Sequence, residues 1–420
     1  MTTTSPLHSV DFRRPLGALE QFFSLVDQHR PVHFAVAAHI DGHTTIPAWR
    51  SALDAVQARH PLFSVGIDPR EGSAPNFRRV ASAPIPLRIV KDMSQSSWQV
   101  EMAKELVTPF DAQQAPLVRA TLVRGTDESM FIFTAHHSIA DGLSLSYAVR
   151  DILHALCEEA LEPLPAKPAQ ESLVGKLQNA RYDTGRPTQS GPQHNGTPVA
   201  FRALDDSLPR IDSLSLSRDL TSKLIELCRR ERTTVHGALC SALVLAGREV
   251  SRSWSNTSIR ILSPFNLRKQ LGIAEDCGLF VWAGIVPMEP TSADFWDMAR
   301  FAKSALTSTQ SLESVSFGMA GLNEALEAGI DVHGASQVLA HAFPCELLLT
   351  NLGSLQCGFD CCDLKLKALW GPAVFMGFEG EQTVGVTTTN GSLCLLHSSF
   401  APLPGLLQRS ERLLRAICEE

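Results

Sequence analysis

The chain has 420 residues, 37 Lys+Arg against 44 Asp+Glu for a formal net charge of −7, and 44% hydrophobic residues. That is ordinary globular composition with enough apolar material to offset chain entropy, so disorder is excluded as the main state. The acidic balance leaves no electrostatic footprint for nucleic acid. Apolar runs such as Ala242–Ala246 fall far short of the ~18–20 residues of a membrane-spanning helix. No basic stretch followed by an apolar core opens the sequence, so a secretory signal is not expected and a cytoplasmic location is. At roughly 150 residues per domain, the length fits two or three domains or one two-lobed unit. Ten cysteines are too sparse for a disulfide scaffold and read as reduced thiols. The cluster Cys357, Cys361 and Cys362 has no His at ligand spacing, and no metal is expected.

The first third alternates helical and strand signals. Leu16, Leu19, Phe23 and Val26 share one helix face. Val32 to Ile40 alternates as a half-buried strand that Asp41-Gly42 ends. Pro47 opens a helix with Trp49, Leu53 and Val56 inward, and a strand around Leu62–Ile67 follows. Leu117–Val123 and Met130–Thr134 read as a hairpin, and Leu143–Leu156 as a helix. Residues 161–210, rich in Pro, Gly, Ser and Asn, read as an extended connector with a short helix near Leu173–Ala180. The α/β rhythm then resumes. Helices are expected at Arg218–Arg230, Val235–Arg248, Ala293–Ser308 and Leu403–Cys418. Strands are expected at Ile259–Pro264, Leu279–Pro287, Cys345–Leu349 and Val374–Phe378. Asn390-Gly391 marks a hairpin between Thr383–Thr388 and Leu393–Ser398.

Several familiar signatures are missing: a Gly-x-x-x-x-Gly-Lys phosphate loop, a Gly-x-Gly-x-x-Gly turn, His-Glu-x-x-His and Gly-x-Ser-x-Gly. What stands out is His136-His137-Ser138-Ile139-Ala140-Asp141-Gly142, directly after the apolar run Met130–Ala135 and directly before an amphipathic stretch. Imidazole, with an ordinary pKa near ~6.5, takes up a proton at neutral pH. At a strand end it is held by the sheet yet open to a cleft, which suits a general base. Asp141 could orient the ring or form an ion pair, and spacing does not choose. Gly142 permits a close backbone approach at the turn into the helix. Two surface histidines in an ordinary strand–helix turn account for the same residues. His39-Ile40-Asp41-Gly42-His43 has a similar composition, but no helix opens directly after it, and it reads as a polar turn.

Taken with its surroundings, the segment resembles the HHxxxDG motif of the chloramphenicol acetyltransferase-like superfamily. That group includes nonribosomal peptide condensation domains, polyketide-associated acyltransferases, wax ester synthases and plant BAHD acyltransferases. Arg59-His60-Pro61-Leu62 is similar to the RHPxLR segment of condensation domains. Phe110-Asp111 with Pro116-Leu117-Val118-Arg119 resembles FDLxxxPLxR, Ser263 to Arg268 resembles PVNLR, and Thr350-Asn351-Leu352-Gly353 resembles SNLG. The likeness runs from about residue 16 to the C-terminus in the expected order. The BAHD hallmark DFGWG is absent, and Trp370-Gly371 is a poor substitute.

The resemblance implies an α/β (α+β) fold of two chloramphenicol acetyltransferase-like lobes, each a mixed sheet with flanking helices, with the active site at their interface. Residues 1–160 would form the N-terminal lobe with the motif, 161–210 the linker and 211–420 the C-terminal lobe. The implied chemistry is direct acyl transfer from a thioester to an alcohol or amine, without an acyl-enzyme. His137 would be the general base, and the Gly142 backbone N–H would support the oxyanion. His136 would be a supporting strand residue, and Asp141 would pair with Arg268 unless that arginine lies on the surface. Asn351 would line the cleft or simply shape a turn. The retained second histidine implies an enzyme rather than an inactive recruitment module. No tightly bound cofactor is implied: a CoA or phosphopantetheine thioester is the co-substrate. The implied partners are a small-molecule acceptor and an acyl-CoA or acyl-carrier-protein donor, with no nucleic acid and no membrane span. With no carrier or adenylation region attached, the expectation is a stand-alone O-acyltransferase of secondary-metabolite or lipid biosynthesis. Amide formation on a carrier-bound amine is the alternative.

Overall fold

The run Met130–Ala135 is apolar at every position but Thr134 because its strand, Glu128–Ala135, is buried on both faces. Phe131 and Phe133 pack with Val36 and Ala38 on one side, while Met130 and Ile132 meet Ala35 and Ala37 on the other. The computed structural model describes residues 12–69, 75–91, 97–181, 199–290, 293–355 and 363–419. The cluster Cys357, Cys361 and Cys362 and residues 182–198 of the Pro-rich connector lie outside the described residues.

Two sheets carry the architecture, a mixed α/β arrangement of two lobes. The first has five strands in the order Lys365–Ala373, Phe34–Asp41, Glu128–Ala135, Val118–Arg124 and Leu87–Val90. All neighbours there are antiparallel except the last pair. The second has six, in the order Val281–Met288, Ile259–Asn266, Leu347–Leu355, Gln382–Thr389, Ser392–Ser399 and Arg210–Ser215. Its central Leu347–Leu355 runs parallel to both neighbours, and the remaining pairs are antiparallel. A three-stranded ribbon of Arg13–Pro15, Asn76–Arg79 and Val65–Asp68 flanks the first lobe.

The strand Lys365–Ala373 belongs by sequence to the second half and by pairing to the first sheet. It also stays tied to the second sheet: the Leu369 N–H donates to Thr389 Oγ1 (3.2 Å), and Asn390 Nδ2 donates to the Leu366 carbonyl (2.6 Å). Gly385 makes the approach possible, since a Cβ there would stand 2.2 Å from the Pro372 carbonyl oxygen. The structure places this strand at residues 365–373 rather than at the expected Val374–Phe378. The reason is Glu381, whose carboxylate accepts the N–H groups of Met376 (3.1 Å) and Phe378 (3.0 Å), donors that a strand would spend on its neighbour.

The helices Ala18–His29, Ile46–Arg59, Gly142–Leu156, Arg218–Arg230, Val235–Val250, Phe295–Thr309 and Leu406–Glu419 lie where apolar periodicity places them. The connector is partly structured: its helix, Gln170–Arg181, sends the Glu171 carboxylate to the Leu19 N–H (2.8 Å). Helices Trp98–Val107, Leu312–Glu327 and Val332–Ala342 were not expected from the pattern. The reading of reduced thiols is corrected at one position. Cys228, Cys240, Cys277, Cys345, Cys394 and Cys418 are free, but Cys157 is disulfide-bonded. Pairing depends on how close two Cα atoms come in the fold, which sequence spacing does not reveal. No described helix is long and apolar enough to cross a membrane.

Because Lys365–Ala373 is an edge strand supplied from the far half, a fragment ending at Arg181 leaves the Phe34–Asp41 edge unpaired and apolar. Expressed alone, that fragment is expected to aggregate or melt without cooperativity. Co-expression with residues 199–420 should restore a sharp transition in circular dichroism.

Candidate active site

The motif turn begins where the Glu128–Ala135 strand ends. The His136 N–H donates to the Leu117 carbonyl (2.9 Å), a last rung of the ladder. Its ring is fully enclosed: Nδ1 accepts the Ser138 N–H at 3.2 Å, and Nε2 lies 3.5 Å from the Asp27 carboxylate. Burial drives the ring pKa down to about 4 against the pull of Asp27, so His136 is neutral at pH 7. Burial also opposes the charge on Asp27, but the His33 hydrogen bond and the neighbouring imidazoles outweigh it, and its carboxyl drops to about 2. Asp27 further accepts the Val32 and His33 N–H groups, at 2.9 and 3.0 Å. Below this pair, Phe110 stands edge-on to both His33 and His136. The Arg119 guanidinium covers Phe110 at 4.0 Å and donates to Glu105 at 2.6 Å. The FDxxxxPLVR segment thus forms the floor under the motif.

His137 points the other way, into a cavity. Its Nδ1 lies 3.1 Å from the Ala140 carbonyl. A carbonyl only accepts, so Nδ1 carries the proton and Nε2 keeps its lone pair. No partner engages Nε2 among the described residues. The ring stacks on Phe23 with centroids 4.2 Å apart and planes 7° off parallel, and Phe34 leans against it at 4.7 Å. Burial lowers its pKa, despite the Ala140 hydrogen bond and the Asp141 charge, which raise it. A neutral, oriented imidazole results.

Asp141 faces away from that cavity's open space and into the lobe junction. It caps the helix Gly142–Leu156, accepting the Ser144 N–H at 2.9 Å. Arg268 binds it bidentately, Nη1 to Oδ2 at 2.7 Å and Nη2 to Oδ1 at 3.0 Å, with both side chains buried. The Phe280 N–H adds a fourth donor at 3.0 Å. Burial disfavours the charge, yet Arg268 and these donors hold the Asp141 carboxyl below its usual range. Gly142 follows with no room for a side chain: a Cβ would meet Leu352 and Pro372, each at 2.8 Å. The N–H groups of Gly142 and Leu143 open the helix and have no acceptor among the described residues.

The cavity encloses about 1050 Å³, its solvent mouth included, and draws its walls from both lobes. Phe22, Phe23 and Phe34 come from the first, and Pro264, Trp282 and Leu348 from the second. Asn351 also lines it, although its Oδ1 accepts the Gly353 N–H at 2.9 Å and so shapes the bend as well. His137, Asp141, Gly142, Arg268 and Asn351 are therefore brought together at one cavity, with His136 directly behind it.

A family model for the condensation domain matches residues 21–319. The chain belongs to the condensation-domain family. Among curated relatives, the phosphinothricin tripeptide synthetase PhsC of Streptomyces viridochromogenes is 30% identical over 158 residues, covering 34% of this chain and 14% of that protein. The chain spans as little as 2% of other synthetases it matches. The first condensation domain of the CDA synthetase shares the fold at a TM-score of 0.69 and 15% identity, over 98% of this chain and 97% of that one. TRI3, the trichothecene 15-O-acetyltransferase of Fusarium sporotrichioides, does so at 0.66 and 13%, over 99% and 97%.

In this condensation domain the RHP segment is an anchor rather than a ligand site. Arg59 and His60 both bind Asp151 on the motif helix, at 2.7 and 2.9 Å. Two contributors escaped the sequence reading. Phe23 counted as core but is the face on which His137 stacks. Asp27 is one of two acids, with Glu20, buried among the apolar side chains of the helix Ala18–His29, and that break in the pattern was the available signal.

Asp141→Asn is expected to destabilise the fold by about 3–5 kcal/mol, because it strands the buried Arg268 charge. Thermal melting checks this. Arg268→Met in the same background should recover part of the loss, since both charges are then removed together.

Proposed function

We propose that this domain is an acyltransferase that moves an acyl group from a CoA or phosphopantetheine thioester to a hydroxyl acceptor by direct transfer. The observation that carries the reading is His137: Nδ1 is committed to a backbone carbonyl, and Nε2 is left with its lone pair beside an apolar cavity. In the proposed step the acceptor O–H gives its proton to Nε2 while its oxygen attacks the thioester carbonyl. The C–S bond then breaks, and the thiolate recovers the proton from the imidazolium. The oxyanion of the intermediate is met by the Gly142 N–H at the helix N-terminus, where the dipole favours negative charge. Asp141 and Arg268 position that turn, His136 braces it from behind, and Asn351 shapes the far wall.

Direct transfer is supported by what lines the cavity. Its described walls include no Ser, Cys or Lys, their one hydroxyl is that of Thr350, which lies beyond the motif on the second sheet, and the Cys277 thiol is buried elsewhere, bonded to the Ser144 carbonyl. Amide formation on a carrier-bound amine uses the same base, and the tripeptide synthetase among the relatives favours it as the second reading. The acetyltransferase that shares the fold favours the ester. Offering matched hydroxyl and amine acceptors with one acyl-CoA and one acyl-carrier donor, while following thiol release, separates the readings.

His137→Ala is expected to lower turnover by about 10²–10⁴-fold with an unchanged melting curve. A folded variant with near-normal turnover refutes the base assignment. The neutral ring is the active form and burial lowers its pKa, so activity is present above that pKa and lost below it. The acid limb of kcat/KM should therefore lie below the ordinary histidine value of about 6.5, with a plateau from there through pH 8.

A further inference from the structure

A second apolar hollow, open to solvent along the exposed Phe317, Gly321 and His341 and spanning about 1230 Å³ with that mouth included, lies between the helices Leu312–Glu327 and Val332–Ala342 and the strand Val281–Met288. It is continuous with the catalytic cavity in its walls: Trp282, Ala283 and Phe343 border both spaces. The Trp282 and Phe343 rings meet edge to face with centroids 6.1 Å apart, so one layer of side chains separates the two. Small residues give the hollow its width. At Gly318 a Cβ would stand 2.5 Å from the Trp282 ring, so that glycine lets the indole lie back against the helix. At Gly321, exposed at the hollow's mouth, a Cβ would meet open space.

The polar side chains of the lining are already engaged. Thr309 donates to the Leu306 carbonyl (2.8 Å), Ser314 accepts from Ser311 (2.9 Å) and His341 Nδ1 meets the Gln337 carbonyl (2.7 Å). The rest of the lining is apolar, and His341, at the exposed rim, is its one ionisable side chain among the described residues. A ligand that fits must be apolar, and one that arrives from the catalytic cavity must pass Trp282 and Phe343 as a thin chain.

We infer that the hollow holds the distal end of a long, unbranched acyl chain whose thioester carbonyl lies at His137. Trp282 and Phe343 form the partition the chain crosses. The inference rests on the acyl-transfer reading above and adds to it a substrate class, long-chain donors. Each methylene that crosses the partition leaves water for apolar walls, so preference should rise with chain length until the hollow is filled.

Two measurements on the whole protein test this. The first compares kcat/KM from acetyl-CoA to myristoyl-CoA for the wild type, Gly321→Phe and Gly321→Ala. Gly321→Phe fills open space and removes a helix-interior glycine, so it should fold at least as well as the wild type. It should cut kcat/KM for myristoyl-CoA by about tenfold or more and leave acetyl-CoA unchanged. Gly321→Ala should behave as the wild type. An equal effect on both donors, or a change that follows acceptor size instead, overturns the inference.

The second reads binding without turnover. A pantetheine thioether bearing an ω-bromododecyl chain should quench indole fluorescence in the wild type. Trp282→Phe should remove most of that quenching, and Gly321→Phe should weaken it. No Trp282-dependent quenching refutes the alkyl site even if acyl transfer is active. Quenching in a protein that transfers no acyl group upholds the site and refutes only the catalytic reading.

Discussion

The bidentate pair between Asp141 and Arg268 holds the lobes at the distance the site requires. Asp141 caps a helix of the first lobe, and Arg268 follows the strand Ile259–Asn266 of the second sheet. Taking both charges out of water costs several kcal/mol per ion, which their attraction offsets only if the remaining hydrogen-bonding capacity is filled. Here it is filled. Asp141 accepts from Arg268, Ser144 and Phe280, and Arg268 also donates to Ser144 Oγ and to the Asp276 carbonyl. Such a pair specifies geometry more than it adds stability. It sets where Gly142 meets Leu352 and Pro372, and so the width of the cavity between them.

Two adjacent histidines then take opposite parts because the strand alternates. His136 turns inward, where burial keeps it neutral and Ser138 and Asp27 flank its two nitrogens. His137 turns outward between Phe23 and Phe34, with one nitrogen fixed on Ala140. Exchanging their surroundings would exchange their chemistry. The buried charges Asp27, Glu105 and Arg119 carry no free valence toward the cavity; they hold the turn rigid from beneath.

Much of this was legible in the sequence because local pattern and tertiary role agree. The apolar run Met130–Ala135 reads as a doubly covered strand, and the motif directly after it reads as a site. The departures have physical causes. Val374–Phe378 is apolar enough for a strand, but Glu381, invisible as a partner in sequence, takes its N–H groups. Lys365–Ala373 leaves its own half for the other sheet, and nothing in its alternation says which sheet it will join. Phe23 falls with Leu16, Leu19 and Val26 on the apolar helix face and reads as core, yet it is the ring on which His137 stacks. Cys157 pairs through space, beyond what residue spacing records.

The apolar walls have a consequence for selectivity between acceptors. In a cavity lined by Phe22, Phe34, Trp282 and Leu348, bulk water is poorly accommodated, while a substrate carrying its own apolar surface gains by displacing it. On the proposed reading, a neutral His137 would be an unselective base, able to activate water as readily as an alcohol. Discrimination against hydrolysis would then come from occupancy, an acceptor's apolar body sealing the mouth as its hydroxyl reached Nε2. Under the proposed acyl transfer, the cavity's lining would protect the thioester while the motif supplied the proton transfer. The Asp141–Arg268 pair keeps the two aligned by fixing the lobes around them.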